Sequence, residues 1–344
     1  MNKNNYFSIK FVRENSFKEN DKLIFLDQTK LPLEENYIET ESYERVAEAI
    51  ERLEMRGAPL IGIAAAYAMA LSIKNANDNF AEQFHTAHKR LSETRPTAVN
   101  LFFTLKIMKD IFEENIDSTN LYEILLDKAK SIHKEDEEFC SKMGRHGLAI
   151  FKTKATVLTH CNTGKLATGG DGTAFSVIKT GFENDLVKFV YADETRPLLQ
   201  GSRLTAFELD KCGIPFAILS DSSAAFLMKQ NKVDLVITGA DRIALNGDSA
   251  NKIGTYNLAL ISYHHKIPFY IAAPSTTIDR TIALGDEINI EYRDKQELLT
   301  INENQFTSPT YDAFTPAFDV TPSHLITGII TEEGVFNFPY NFTR

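Results

Sequence analysis

Apolar positions along this chain change their spacing partway through. In the first part they recur three or four residues apart, the period of a helix with one buried face. Residues 42–56 carry Val46, Ile50 and Leu53 on such a face. Residues 60–73 are Ala-rich and apolar nearly all round, which predicts a helix buried on every side. Further helical patterns cover residues 77–93, 98–115 and 120–151. Ahead of them, "FSIKFV" and "KLIFLDQ" read as short strands separated by turn residues. The second half then alternates. "KATVLTHC", "DLVKFVYADE", "PFAILSD", "VDLVITGAD" and "PFYIAAP" are short β-rich runs, and helical stretches at 173–180, 202–211, 223–231 and 253–265 lie between them. Strand, helix, strand, helix implies a parallel sheet covered on both faces. The expected fold class is α/β: a C-terminal Rossmann-like, doubly wound parallel sheet over residues 136–344, with a smaller, mainly helical N-terminal domain over residues 1–135 that carries a small β-sheet.

Composition narrows the partners. The chain has 344 residues, 43% hydrophobic and 24% charged, enough for a sizeable core. Its net charge of -10 argues against a nucleic-acid or anionic-membrane partner, since both ask for a basic surface. "MNKNNYFSIK" lacks the apolar core of a signal peptide, and residues 60–73 are too short to span a bilayer. The 3 cysteines, Cys140, Cys161 and Cys212, form no CxxC pair and no metal spacing. Such sparse, odd usage fits reduced thiols in a cytoplasmic protein. No metal site and no P-loop is expected, because Gly164-Lys165 lacks the upstream Gly and the following hydroxyl residue.

Each β-rich run ends in polar or glycine-rich text: "THCNTG", "ADETRP", "SDSSA", "TGADRI" and "AAPSTT". Ligands of open α/β sheets bind outside the carboxyl ends of the strands. Cys161 therefore stands out from Cys140 and Cys212, which sit inside helical patterns as small apolar residues. A thiol near donors or cations can act as base or nucleophile. Asp241 is either a turn carboxylate or a general acid kept protonated by burial. Asp193 and Glu194 either hold ligand hydroxyls or cap the helix beginning near Ser202. His160 adjoins Cys161 and, by the two-residue strand period, is expected to face the other way as a structural residue. Cations for an anionic ligand come from "MRGAP", "ETRPT" and "ANKIG", which hold Arg56, Arg95 and Lys252. Gly57 at a helix start lets backbone donors approach a phosphate.

Seven blocks, among them "MRGAPLIGIAAAYAMAL", "LTHCNTGKLAT", "ADETRPLLQGSRLTAFEL" and "TGADRIALNGDSANKIGTYNLAL", resemble the methylthioribose-1-phosphate isomerase family in order and over nearly the whole chain. The resemblance implies an aldose–ketose isomerase of methionine salvage, turning 5-methylthioribose 1-phosphate into 5-methylthioribulose 1-phosphate as a cytoplasmic homodimer without cofactor. It places the catalytic cysteine on Cys161 and the catalytic aspartate on Asp241. Substrate-binding positions fall on Arg56, Gly57, Ala58, Arg95, Gln200, Asn251 and Lys252. The same superfamily holds 5-deoxyribose-1-phosphate and ribose-1,5-bisphosphate isomerases, and non-catalytic regulatory subunits of the translation-initiation guanine-nucleotide exchange factor. "GKLATGGDG" departs from the expected pattern at Lys165 and Asp171, which leaves the group at sugar carbon 5 open.

Overall fold

The computed structural model describes residues 6–13, 18–76, 78–95, 99–301, 304–340 and 342. Residues 96–98, which take in the last two positions of "ETRPT", lie outside them. The chain forms two compact units, one of Asn5–Glu138 with Lys165–Gly172 and the other of Phe139–Gly164 with Thr173–Arg344.

The helical unit opens with an antiparallel sheet of β1 (Ile9–Val12), β2 (Lys22–Leu26) and β3 (Tyr37–Thr40), with β2 in the centre. Helix α1 (Tyr43–Glu51) stops short of the expected residue 56 because Leu53 turns left-handed, φ 59°. Helix α2 (Ala58–Ser72) is buried at every position from Leu60 to Ser72. It packs among α1, α3 (Phe80–Ser92) and α4 (Val99–Glu114), which share one apolar core with it. Each fully buried Leu or Ile of such a core contributes about 1.5–3 kcal/mol. Helix α5 (Leu121–Gly147) begins in this unit and ends in the other.

In the sheet unit, β4 (Ala155–Thr159), β5 (Val187–Asp193), β6 (Phe216–Leu219), β7 (Leu235–Thr238) and β10 (Phe269–Ala272) are the five runs expected from the sequence. The 7-stranded sheet adds β14 (Gly328–Thr331), parallel, and β15 (Gly334–Asn337), antiparallel at one edge. Its order is β15-β14-β10-β7-β4-β5-β6. From β4 the chain winds outward through β5 and β6, then returns to β7 on the other side and continues through β10 and β14. Helices α6 (Ala174–Glu183), α7 (Ala206–Lys211), α8 (Ala224–Lys229) and α9 (Thr255–His264) lie between the strands in sequence. Neighbouring strand residues split between two cores, as the two-residue period requires. Val157, Ile237 and Ala272 pack with α6 residues, whereas Leu158, Val236 and Ile271 pack with α8 and α9 residues.

Beyond β3, β14 and β15, two small groups of elements escaped the sequence reading. Strands β8 (Arg242–Ile243), β9 (Ser249–Lys252) and β13 (Phe318–Thr321) form an antiparallel sheet with β9 central. A short helix α10 (Gln296–Leu299) precedes the paired β11 (Thr300–Ile301) and β12 (Asn304–Gln305). Among the described residues no helix is long and apolar enough to cross a membrane.

Candidate active site

Winding reverses between β4 and β7, which pair in parallel at Val157↔Leu235 and Leu158↔Val236. At such a reversal the loops leaving the two strands part, and a crevice opens outside their carboxyl ends. Cys161 follows β4 and Asp241 follows β7. The two loops touch: a side chain added at Gly239 would lie 2.7 Å from the Thr163 methyl.

Cys161 is 6% exposed and left-handed, φ 61°. An L-residue held there costs roughly 1–2 kcal/mol. Its backbone is bound at both ends. Its N–H donates to Thr195 Oγ1 at 2.9 Å, and its carbonyl accepts the Thr205 hydroxyl at 2.6 Å. The next side chain is also fixed, since Asn162 Nδ2 donates to Glu208 Oε2 at 2.5 Å and to Thr205 Oγ1 at 3.3 Å. Thr195 and Leu199 are left-handed as well, φ 64° and 60°, so strain gathers at the ends of β4 and β5.

The Asp241 loop is anchored by its own amide, which donates to the Ala250 carbonyl at 2.8 Å. That bond joins Asp241 to β9, whose last two residues are Asn251 and Lys252. Asn251 is buried and donates to Thr255 Oγ1 at 3.0 Å, while the Lys252 ammonium lies 4.4 Å from the Phe318 ring centre. Gln200 begins a π-helical turn, Gly201–Thr205, that leads into α7. It is buried, and its side-chain oxygen has no hydrogen-bond partner among the described residues. A buried amide oxygen left so marks a place for a ligand or water.

His160 was expected to be a structural residue facing away from Cys161. It is buried, but the two-residue period does not govern the pair, because β4 ends at Thr159 and Cys161 is left-handed. Its Nδ1 meets Asp193 Oδ2 at 3.0 Å and its Nε2 meets the Ile253 carbonyl at 2.9 Å. The carbonyl only accepts, so Nε2 carries a proton, and a second proton lies between Nδ1 and the carboxylate. Burial opposes charge on the imidazole. The hydrogen bond and charge of Asp193, with the charge of Asp221 behind it, override burial and hold His160 above the ordinary histidine range. Asp193 thus turns to His160 and caps no helix, a correction to one sequence expectation; the π turn has no side-chain cap. Ligand atoms of His160, Asp193 and Asp221 lie within 4.8 Å of one another. Both Asp221 oxygens are nevertheless occupied, by the amides of Thr195 and Arg196 at 2.7 Å each, and the cluster reads as a hydrogen-bonded support.

The remaining candidates lie in the helical unit. Gly57, φ 95°, is the N-cap of α2, followed by Ala58 and Pro59, and Arg56 precedes it, half-buried. A Cβ on Gly57 would come 2.6 Å from the Cα and carbonyl oxygen of Ala167. The Lys165–Ala167 turn therefore sits directly against the start of α2. Gln28 Nε2 holds that turn through the Leu166 carbonyl at 2.7 Å. Lys165 pairs with Asp171 at 3.2 Å, so the two departures from the family pattern meet each other. Arg95 follows α3 and is half-buried. Sequence reasoning missed Thr195, Thr205, Glu208 and Asp221. All but Asp221 stand inside the "ADETRPLLQGSRLTAFEL" block, yet a hydroxyl or carboxylate bound to main chain, or to a neighbouring amide side chain as Glu208 is, leaves no signature of its own.

A doubly wound sheet with strained polar loops gathered at its winding reversal defines a ligand-binding α/β protein of Rossmann type. The chain belongs to the initiation factor 2 subunit family, whose pattern matches residues 54–338. It is 50% identical over 326 residues to the methylthioribose-1-phosphate isomerase of Caldicellulosiruptor saccharolyticus, covering 94% of this chain and 95% of that one. The crystal structure of 5-methylthioribose 1-phosphate isomerase from Pyrococcus horikoshii superposes with a TM-score of 0.90 at 39% identity, covering 98% of this chain and 95% of that one. A structure from A. fulgidus described as translation initiation factor eIF-2B, subunit delta, gives a TM-score of 0.86 at 38% identity, with 97% and 96% covered.

Proposed function

We propose that this chain is an aldose–ketose isomerase that converts 5-methylthioribose 1-phosphate into 5-methylthioribulose 1-phosphate in methionine salvage. The observation that carries this reading is the 50% identity, over 94% of the chain, to a protein named methylthioribose-1-phosphate isomerase. The phosphate sits on the anomeric oxygen, so the ring cannot open by hemiacetal chemistry. In this reading Asp241 gives a proton to the ring oxygen as its bond to carbon 1 breaks. Cys161 takes the proton from carbon 2 and returns it to carbon 1 as the carbon 2 hydroxyl becomes the ketone, or takes the carbon 2 hydroxyl proton if hydride passes directly to carbon 1. Arg56, Arg95 and Lys252 hold the phosphate, the α2 start at Gly57 and Ala58 offers backbone donors to it, and Gln200 and Asn251 bind sugar hydroxyls. Holding the reacting atoms in line can lower the barrier by about 7–11 kcal/mol.

The A. fulgidus neighbour favours one competing reading, a regulatory subunit that binds without turnover. A binding module has no use for a cysteine held in a strained backbone state on a loop that touches the one carrying a candidate acid. The test is a ketose-forming assay on 5-methylthioribose 1-phosphate, 5-deoxyribose 1-phosphate and ribose 1,5-bisphosphate. Turnover greatest on the methylthio sugar supports the proposal, greater turnover on either other sugar moves it to that substrate, and no turnover on any favours the regulatory reading. We further propose a cytoplasmic homodimer. Cys140, Cys161 and Cys212 are joined in no disulfide among the described residues, which supports a reducing compartment. Tyr256, Leu260 and Tyr263, exposed at helical spacing on α9, supply an apolar face for a second copy, which light scattering checks.

A further inference from the structure

We propose that Thr195 and Thr205 are positioning residues for the isomerase reaction: their hydroxyls clamp the amide and the carbonyl of Cys161, keep that residue left-handed, and so aim its thiol. The inference rests on the reading of Cys161 as catalytic. Both threonines are buried, at 0% and 2% exposure, and each hydroxyl both accepts and donates a hydrogen bond. Thr195 Oγ1 accepts the Cys161 N–H and donates to the Asp193 carbonyl at 3.1 Å. Thr205 Oγ1 donates to the Cys161 carbonyl and accepts from Asn162 Nδ2.

Neither threonine arrives there cheaply. Thr195 is β-branched and itself left-handed, φ 64°, a conformation such residues rarely adopt. Asp221 holds it so, by accepting the amides of Thr195 and Arg196. Thr205 is delivered by the π turn, in which the Ala206 amide reaches back to the Gly201 carbonyl. Turns of this kind gather at functional sites. The turn is seated on the end of β5, where a Cβ at Gly201 would lie 1.6 Å from the Asp193 carbonyl oxygen. Two unusual backbone arrangements thus converge on the two polar groups of one residue. Simple satisfaction of a buried peptide would have required neither of them.

The test uses the full chain carrying Thr195→Val, Thr195→Ser, Thr205→Val, Thr205→Ser or Cys161→Ser. Turnover of 5-methylthioribose 1-phosphate is measured beside the rate at which iodoacetamide alkylates Cys161, mapped by mass spectrometry with Cys212 as internal reference. Each valine variant is expected to lose roughly 10–100-fold in kcat, the cost of a misplacement on the order of 1 Å, with KM within about threefold. Each serine variant is expected to restore most of that loss, and Cys161 alkylation to shift in the valine variants while Cys212 does not. Valine variants with wild-type kcat, beside an inactive Cys161→Ser, would overturn the clamp and leave the functional reading intact. A fully active Cys161→Ser would instead remove the functional reading of that residue, and the clamp with it. Should Thr195→Val fail to fold, Thr205→Val decides alone, because it removes a donor from a carbonyl and leaves the Cys161 amide bonded.

Discussion

Removing His160 should destabilise the sheet unit by more than any exposed substitution can, and the size follows from what is left behind. In His160→Asn the Asp193 carboxylate, 2% exposed, loses its one side-chain partner among the described residues, and the Ile253 carbonyl loses its donor. Breaking one side of a buried charged pair costs about 3–5 kcal/mol. For a unit of this size that is a fall in the melting midpoint on the order of 10 °C. Asp193→Asn should cost less. A neutral imidazole keeps its Nε2 proton for Ile253, and its Nδ1 can accept from the new amide, so roughly one hydrogen bond's worth, about 0.5–1.5 kcal/mol, is lost. The double variant should resemble His160→Asn with its stranded charge relieved. The two substitutions are therefore expected to couple by more than about 1 kcal/mol.

The same pair gives a pH dependence of known sign. His160 is held above its ordinary value of about 6.5 by Asp193, against the opposing effect of burial. Its contribution to stability is then fully present below about pH 6.5 and is lost as pH rises through the higher folded value. The stability gap between wild type and Asp193→Asn should narrow as pH rises above about 6.5. The chain holds 0 Trp, so far-UV circular dichroism rather than indole fluorescence reads the thermal transition. Midpoints are compared, because a chain of two units need not unfold in one step. Additive single variants, together with a gap independent of pH, would refute the charged pair.

Other outcomes follow from the same geometry. Cys161→Ser and Asp241→Asn should each keep the wild-type dichroism spectrum and lose at least about 100-fold in turnover, the lower range for a positioned acid or base; full activity in either would remove it from the chemistry. Gly57→Ala meets both a left-handed φ of 95° and a 2.6 Å approach to Ala167, so it should lower the melting midpoint and raise KM together. Asp319→Ala removes the carboxylate that accepts the Gly254 and Tyr256 amides at 2.7 and 3.0 Å, and a loss of about 0.5–2 kcal/mol is expected in thermal melts. Product formed in deuterium oxide should carry deuterium at carbon 1 if a base moves the proton, and none if hydride passes directly.

Legibility in the sequence tracked how local the cause was. Strands β4, β5, β6, β7 and β10 were readable because each is a run of apolar, β-rich residues closed by turn residues. Strands β8 and β9 were not, because Arg242–Ile243 is 2 residues long and Ser249–Lys252 is polar, so each is defined by its partner. Residues 202–211 read as one helix, yet their first turn is π-wound, since the end of β5 presses on Gly201. Cys161 and Asp241 could be singled out by residue type and by their place after a strand. The strand alternation used to orient His160 does not apply to it, because side chains alternate only while the strand lasts and β4 ends one residue earlier, at Thr159.

Topology and chemistry separate at this point. The isomerase from Pyrococcus and the initiation-factor subunit from A. fulgidus match this chain at TM-scores of 0.90 and 0.86, so the fold is shared by proteins with different names. A fold of this kind supplies a crevice and leaves its use to the side chains. Here the loops that follow β4 and β5 hold backbone out of its relaxed state: Cys161, Thr195 and Leu199 are all left-handed, and a buried pair joins His160 to Asp193 at the ends of the same two strands. Strain of this kind persists only where the surroundings over-determine it. A surface that served only to bind a partner would gain nothing from forcing a buried thiol into an unfavourable backbone state. A reaction that needs a proton taken at one atom of a small sugar gains the fixed direction of the sulfur.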